Sequence, residues 1–311
     1  MGIRILDGGL LTTVQDKGRT GYQKSGMPVA RRNGCICDEP ANILVGNNRS
    51  SAVLEVTVQG PSIEFTEANV IAVCGGNLSP QLSGAPLPMN RAVSVRAGET
   101  LSFGAPIAGC RCYIAFAGGM DIPLVMSSRS TYLKAGLGGF QGRRLQKGDE
   151  IAFAAPRAAL PGMEARIVPD EMLLDYRQEA DIRIVLGPQD DYFTEYAMMG
   201  FFHGFYTVTN ACDRMGYRLE GRKLPHVQLE DGNIISDGVA FGSIQIPPDG
   251  LPIIMMADHQ TTGGYTKVGA VITVDLPLVA NMQPGAKIHF VQVEIDEAQF
   301  LLRAGQSPLR A

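Results

Sequence analysis

Short apolar runs bounded by glycine, proline or asparagine recur along the whole of this chain. Runs of this length that are rich in β-branched and aromatic residues predict strands. The predicted strands are residues 1–7, 52–58, 69–74, 112–117, 182–186, 252–257, 270–274 and 287–293. Helical periodicity is confined to residues 39–45, about 192–199 and 294–304. The pattern therefore predicts a mostly β fold.

Residues 156–181 form the best candidate for a linker. They are rich in alanine and proline, then in charge, and they lack strand periodicity. We expect an N-terminal module of residues 1–155 and a C-terminal module of residues 182–311. Landmarks such as Gly60-Pro61 and Gly187-Pro188 recur at an offset of about 130 residues, which predicts a duplicated β-barrel-like module. The alternative is a chance recurrence of common turn dipeptides.

Composition and charge exclude several classes of protein. The chain has 311 residues, a net charge of -4 and no cluster of Lys and Arg, which argues against a nucleic-acid surface. It has no apolar run of the ~20 residues that span a bilayer, and its first residues do not resemble a signal peptide. The six cysteines contain no CxxC motif. We interpret them as reduced thiols of a cytoplasmic protein, without a metal site. The alternative is a metal site built from the i,i+2 pairs Cys35/Cys37 and Cys110/Cys112.

A polar loop follows the first strands. Residues 12–21 gather Gln15, Asp16 and Arg19, which are an amide, a carboxylate and a fork-shaped donor. Such a set suits binding of a carboxylate, an amide or a phosphate. An ordinary hairpin loop is the alternative.

Two later segments also carry concentrated polar chemistry. In residues 213–221, an extended backbone places Asp213 and Tyr217 on one side and Arg214 and Arg218 on the other, so that the two arginines form an anion clamp. A solvated charged strand is the alternative. Next, Gln245 precedes a Pro-Pro turn, and an apolar strand then runs into polar residues and a Gly-Gly turn. The polar residues there are Asp258, His259, Gln260, Thr261, Thr262 and Tyr265.

Several familiar catalytic motifs are missing from the sequence. It contains no GxxxxGK[ST], HExxH or GxSxG motif, and residues 136–142 only approach GxGxxG. No lysine follows a methionine, so the Met-Lys core of a biotin attachment site is missing and this chain does not carry biotin.

Taken together, the polar segments resemble the biotin-dependent carboxyltransferase-like family. That family contains the C-type subunit of bacterial 5-oxoprolinase, the second subunit of allophanate-hydrolase-type proteins and a domain of urea carboxylase. The resemblance runs in order along nearly the whole chain. The matching runs are residues 11–19, 44–47, 54–57, 60–61, 118–119, 128–131, 138–143, 186–189, 213–221, 245–250 and 258–265.

The resemblance implies two tandem cyclophilin-like β-barrel modules and an obligate B-type partner, often with a third subunit. It implies an enzyme that uses ATP and Mg²⁺ to cleave 5-oxoproline to glutamate and that is active only as a complex. One alternative is carboxyl transfer from carboxybiotin to urea or a related small amide. Another is a non-catalytic regulatory role, since an outlying member antagonises an inhibitor of a sporulation kinase.

Within that resemblance, the polar residues receive roles. Both reactions activate a stable amide, so arginines would stabilise spreading charge and carboxylates would orient the amide or hold Mg²⁺ through water. The nucleotide would lie largely on the partner. We expect all three segments to converge on one cleft. The catalytic candidates are Asp16, Arg19, Asp213, Arg214 and Asp258. The substrate-binding candidates are Gln15, Tyr217, Arg218, Gln245, His259, Gln260, Thr261, Thr262 and Tyr265.

The sequence departs from the family pattern at three places. Ser127 replaces a glycine, His259 stands where arginine or glutamine is usual, and residues 33–38 keep only the glycine and Asp38 of the usual Ser-Gly-Ala-Met-Asp run. Two of these places lie in expected site loops, which leaves open a substrate different from the family norm.

Overall fold

The computed structural model describes residues 2–34, 39–155, 163–227 and 233–306. The chain divides into two compact units. Unit 1 is Met1–Thr20 with Ala30–Tyr176, and unit 2 is Gly21–Val29 with Arg177–Ala311. The division after residue 176 falls inside the segment expected to be a linker. Part of that segment packs on unit 1, where Met163 and Val168 are buried.

The described residues of unit 1 form short strands and one α-helix. Its strands are β1 (Gly2–Asp7), β2 (Leu11–Gln15), β3 (Val53–Thr57), β4 (Ser62–Phe65), β5 (Asn69–Asn77), β6 (Pro80–Leu82), β7 (Ala85–Pro86), β8 (Ala92–Val95), β9 (Thr100–Phe103), β10 (Ala108–Phe116) and β11 (Glu150–Ala152). Its helix is α1 (Glu39–Leu44). Single 3-10 turns lie at Leu133–Ala135, Met163–Ala165 and Asp170–Met172.

Two sheets enclose the main core of unit 1. One has the order β11-β1-β4-β9-β6-β7 and the other has the order β2-β3-β10-β5-β8. Alternate residues of each strand point inward, so that Ile5 and Phe65 meet Val14 and Ile114 in one apolar cluster. The outer face of the five-stranded sheet is also buried, because α1 covers part of it through Leu44.

Unit 2 contains the remaining elements. Its strands are β12 (Glu179–Leu186), β13 (Phe205–Cys212), β14 (Gly216–Glu220), β15 (Asn233–Gly238), β16 (Ser243–Ile246), β17 (Ile253–Met255), β18 (Thr262–Val271) and β19 (Lys287–Gln292). Its helices are α2 (Glu195–His203), α3 (Leu276–Asn281) and α4 (Ile295–Gln306), with 3-10 turns at Gln23–Ser25 and Asp190–Tyr192.

The sheet of unit 2 closes into a barrel. Its order is β12-β19-β13-β14-β17-β16-β18-β15, and β12 also pairs with β18, which closes the seven strands from β12 to β18 into a ring. β15 extends the sheet beside the first residues of β18. Side chains such as Tyr217, Ile254 and Phe290 fill the interior. The intervening residues face outward, where strand alternation places the polar side chains of the candidate site.

The prediction of a mostly β fold is confirmed, but three local expectations are wrong. Of the strand predicted at residues 270–274, only residues 270 and 271 lie in a strand, at the end of β18. α3 was not expected, because a short apolar run such as Leu276–Asn281 has too few residues to show a helical period. Gly263 and Gly264 do not form a turn, since both lie inside β18. In the described part of the chain, no helix is long and apolar enough to cross a membrane.

Candidate functional site

In unit 1, the Asp16 carboxylate organises a loop that follows it by more than 100 residues. Its Oδ1 accepts hydrogen bonds from the hydroxyls of Ser128 (2.6 Å) and Ser130 (2.8 Å) and from the backbone N–H of Gly18 (2.8 Å). Its Oδ2 accepts one from the N–H of Arg129 at 2.5 Å. Asp16 is buried. These bonds engage both carboxylate oxygens, so the side chain holds the loop in place.

Gln15 and Arg19 belong to the same network. The Gln15 side-chain nitrogen donates to Thr13 Oγ1 (3.0 Å) and to the Thr131 carbonyl (3.1 Å). Arg19 is fully buried and donates through Nη2 to the Ser130 carbonyl at 2.5 Å. The three predicted residues of the first segment therefore lie together. The sequence analysis did not identify Ser128 and Ser130, which bind Asp16 and Arg19, as part of this network, although residues 128–131 were among the matching runs.

In unit 2, Arg214 and Asp258 form a bidentate ion pair. The Arg214 Nε and Nη2 atoms each lie 2.9 Å from an Asp258 carboxylate oxygen, and the Asp258 N–H donates to the Arg214 carbonyl at 2.7 Å. Both side chains are buried. Arg214 lies in the turn before β14, whereas Arg218 lies on that strand. The expected clamp of two arginines on one strand face is therefore wrong.

Asp213 stabilises the same turn. Its Oδ1 accepts from the backbone N–H groups of Met215 (2.7 Å) and Gly216 (3.1 Å). This is the usual way in which an aspartate fixes a tight turn. Its role in the structure is therefore conformational.

A groove of about 370 Å³ lies on the outer face of the unit 2 barrel. Its apolar wall includes Ile253 and Met255 of β17. Strand pairing explains the arrangement, because Arg218 stands opposite Ile253, and Ile253 stands opposite Gln245. The predicted site residues that line it are Asp213, Arg218, Gln245, Gln260 and Tyr265.

Two polar groups of the groove are available to a ligand. Gln245 is 1% exposed, and its Oε1 accepts from Gln260 Nε2 at 3.3 Å, which sets the orientation of the Gln245 amide. The Gln245 Nε2 atom is then a buried donor without a partner among the described residues. Buried donors are rarely left unpaired, so this atom is a candidate for pairing with a bound water or with a ligand acceptor. Arg218 is exposed, and we find no ion pair to it within the described ranges.

Some predicted residues lie outside the groove. Tyr217 was expected to bind substrate, which is wrong: it is a core residue whose hydroxyl donates to the Ala280 carbonyl at 3.2 Å. Alternation along β14 sends Tyr217 inward and Arg218 outward. His259 is buried, with Nδ1 2.7 Å from the Gln260 carbonyl. Thr261 and Thr262 lead into β18 beside the groove, where the Val239 N–H donates to the Thr261 carbonyl at 3.0 Å.

The sequence analysis did not predict an ion pair that lies next to the groove. Lys267 of β18 is buried and stands opposite Gln245, and its ammonium group binds the Asp237 carboxylate. Gln189 contacts both partners, accepting from the Lys267 N–H at 3.1 Å and donating to Asp237 at 3.4 Å. The only signal in the sequence is that Lys267 shares a strand face with Tyr265.

Two expectations stay open. That the unit 1 loop shares a cleft with the unit 2 segments stays a prediction, and the departures at residues 35–38 lie outside the described residues. Over the described ranges, no three His, Cys, Asp or Glu side chains are grouped in a way that would hold a metal ion.

Comparison with known proteins gives long matches. The C-type subunit of Escherichia coli 5-oxoprolinase is 34% identical over 308 residues, covering 99% of this chain and 96% of that protein. Its Haemophilus influenzae counterpart is 32% identical over 304 residues, covering 98% and 95%. The structure of Kluyveromyces lactis urea amidolyase matches with a TM-score of 0.92 and 30% identity, covering 99% of this chain and 20% of that one. Because the family model for the carboxyltransferase domain, subdomain A and B, matches residues 38–292, this chain belongs to that family.

Proposed function

We propose that this chain is the C-type subunit of an ATP-dependent 5-oxoprolinase. Together with a B-type partner and a third subunit, it opens the lactam ring of 5-oxoproline to give glutamate in the cytoplasm. The names of the Escherichia coli and Haemophilus influenzae relatives support this proposal. The main structural support for the proposed function is the groove of unit 2, which combines the unsatisfied amide donor of Gln245 with the exposed guanidinium of Arg218.

The chemical groups of 5-oxoproline match these two side chains. Its lactam oxygen accepts a hydrogen bond from Gln245 Nε2, which has no partner among the described residues. Its carboxylate pairs with Arg218 through a bidentate, charge-assisted contact. The two residues lie two strands apart, which corresponds to about 10 Å between their backbones. Both residues line the groove together with Ile253, which stands between them in the strand register and offers an apolar floor for the ring methylenes.

The groove thus prepares a stable amide for activation. ATP, when bound with Mg²⁺, would supply a phosphoryl group to the lactam oxygen, which makes the ring carbon open to attack by water; the C–N bond then breaks to open the ring, and phosphate is released as glutamate forms. Gln245 holds that oxygen at a fixed point, Arg218 fixes the far end of the ring, and the β17 side chains keep water from one face. Asp16 and Asp258 are engaged within their own units. We therefore assign the nucleotide largely to the partner.

The test uses this chain co-expressed with its neighbouring subunits, with ATP consumption measured against 5-oxoproline. Arg218→Ala is expected to lower kcat/KM by about 10- to 100-fold, the range for a lost charge-assisted hydrogen bond. With 2-pyrrolidinone, which lacks the carboxylate, the same variant should match the wild type. Arg303→Ala, an exposed arginine on α4, is the matched control. The isolated chain should be nearly inactive.

Equal loss of activity toward both lactams would contradict the carboxylate contact. A complex without any turnover of 5-oxoproline would contradict the proposed function and favour a regulatory role.

A second candidate is carboxyl transfer to urea, which the match to Kluyveromyces lactis urea amidolyase favours. Urea has no carboxylate, so Arg218 would have no counter-ion in that substrate. The same assay with urea separates the two activities. Turnover of urea that requires a biotinylated partner would replace the first proposal with the second.

A further inference from the structure

Lys267 lies beside the groove without lining it. It stands directly opposite Gln245 across β16 and β18, at a spacing where neighbouring side chains on one sheet face touch. Its side chain is only 6% exposed. A buried ammonium group requires a counter-charge, because desolvation is otherwise too costly. Asp237 on β15 supplies that counter-charge, and Gln189 binds both partners.

The ion pair adds a side-chain link between β15 and β18. The strand pairs with the first residues of β18 through a register that shifts between Asn233 and Asp237, so its backbone ladder is irregular. Immediately after β15, Val239 packs against Ile253 and Met255, which form the apolar wall of the groove. The Lys267–Asp237 pair therefore fixes the end of the strand that leads into this wall.

Gly263 connects the ion pair to the amide of Gln245. Asp237 stands opposite Gly263 in the register of β15 and β18. A Cβ atom at position 263 would lie 2.5 Å from Gln245 Nε2 and 3.1 Å from a methyl group of Val239. The Gln245 amide thus rests directly against the backbone that Asp237 holds, and displacement of β15 removes that support.

We propose that Lys267, with Asp237, is a positioning residue that fixes the Gln245 amide toward the groove. This inference rests on the proposed amide-binding role of Gln245. Lys267 does not touch the substrate. It acts on the Gln245 amide through the backbone of β15 and the first residues of β18, so its effect on substrate binding is expected to depend on Gln245.

The experiment is a double-mutant cycle in the co-expressed complex. Lys267→Met and Gln245→Glu are each expected to raise KM for 5-oxoproline by about tenfold, since small misplacements of a binding group have effects of this size or larger. The double variant should match Gln245→Glu alone, and Lys267→Arg should stay close to the wild type. Lys287→Met, an exposed lysine on β19, is the control. Effects that multiply in the double variant would overturn the proposal.

A second readout does not depend on turnover. Amide hydrogen exchange at residues 262–266 should speed up in Lys267→Met and in Asp237→Asn, and should stay unchanged in the Lys287→Met control. Asp237 is 43% exposed, so its variant tests the same pair with less risk to folding. Unchanged exchange in a folded variant would overturn the positioning role. If Gln245→Glu left KM unchanged while Lys267→Met still speeded up the exchange, the proposed function of the groove would be contradicted. The role of the Lys267–Asp237 pair in holding residues 262–266 would not be.

Discussion

Arg214 and Asp258 lie 44 positions apart in sequence and bind each other through two hydrogen bonds of 2.9 Å in the buried part of unit 2. The sequence pattern predicts a catalytic role for each of them. The structure satisfies both charges within one unit, which indicates that the pair joins the turn before β14 to the loop after β17. Arg218, four positions further along the chain, directs its guanidinium to the groove instead.

Arg214→Ala is therefore expected to destabilise the protein. Removing one partner of a buried ion pair leaves an uncompensated charge and costs about 3–5 kcal/mol of unfolding free energy. The apolar double variant Arg214→Met, Asp258→Leu should recover most of that loss. Urea denaturation of the three proteins measures the effect. Wild-type stability in the single variant would contradict the structural role.

Ser127→Gly should stabilise unit 1. Met126 and Ser127 both have positive φ, 53° and 62°, in the tight turn between Val125 and Ser128. The left-handed region costs a residue with a side chain about 1 kcal/mol that glycine avoids. Thermal unfolding should show a higher Tm for Ser127→Gly. Ser50→Gly, at an exposed position without positive φ, is the control and should not raise it.

Acid should remove one contribution to the stability of unit 1. Hydrogen bonds from Arg143 lower the pKa of Asp149 below its ordinary 3.8. A carboxylate with a depressed pKa stabilises the fold above its unfolded-state pKa, and the contribution is lost as pH falls through the folded-state pKa. The difference in unfolding free energy between wild type and Asp149→Asn should be about 1 kcal/mol at pH 6. It should shrink below about pH 4. A difference that stays constant down to pH 2 would contradict this assignment.

Cys212 offers a reporter of groove occupancy. It is partly exposed and lines the groove, whereas Cys74, Cys110 and Cys112 are buried. Burial also raises the pKa of the Cys112 thiol, which disfavours its reactive thiolate. N-ethylmaleimide should therefore modify Cys212 faster than these three, and 5-oxoproline should slow that modification in the complex. Peptide mapping by mass spectrometry measures each site separately. Modification of Cys212 at the same rate with and without 5-oxoproline would argue against ligand binding in this groove.

The sequence by itself determined the fold class and a part of the elements. Strand signals are local, because alternation and β-branched composition act within a few residues, and the runs at 53–57, 69–77 and 287–292 formed strands where they were expected. The sequence also marked the polar segments that surround the candidate site. Residue type and order were sufficient for this.

Only the tertiary structure decided what each polar residue does. Because side chains alternate along β14, Tyr217 lies in the core and Arg218 lines the groove. Arg214 lies in the turn before β14, so it is not on the strand face that was expected to hold both arginines. The partners that neutralise a charge lie far away in sequence, as Ser128 and Ser130 do for Asp16 and as Asp237 does for Lys267. The amino-acid sequence shows that a carboxylate is present at a given position. Whether its charge is already satisfied depends on which strands pair, and that is decided by packing over long distances in the chain.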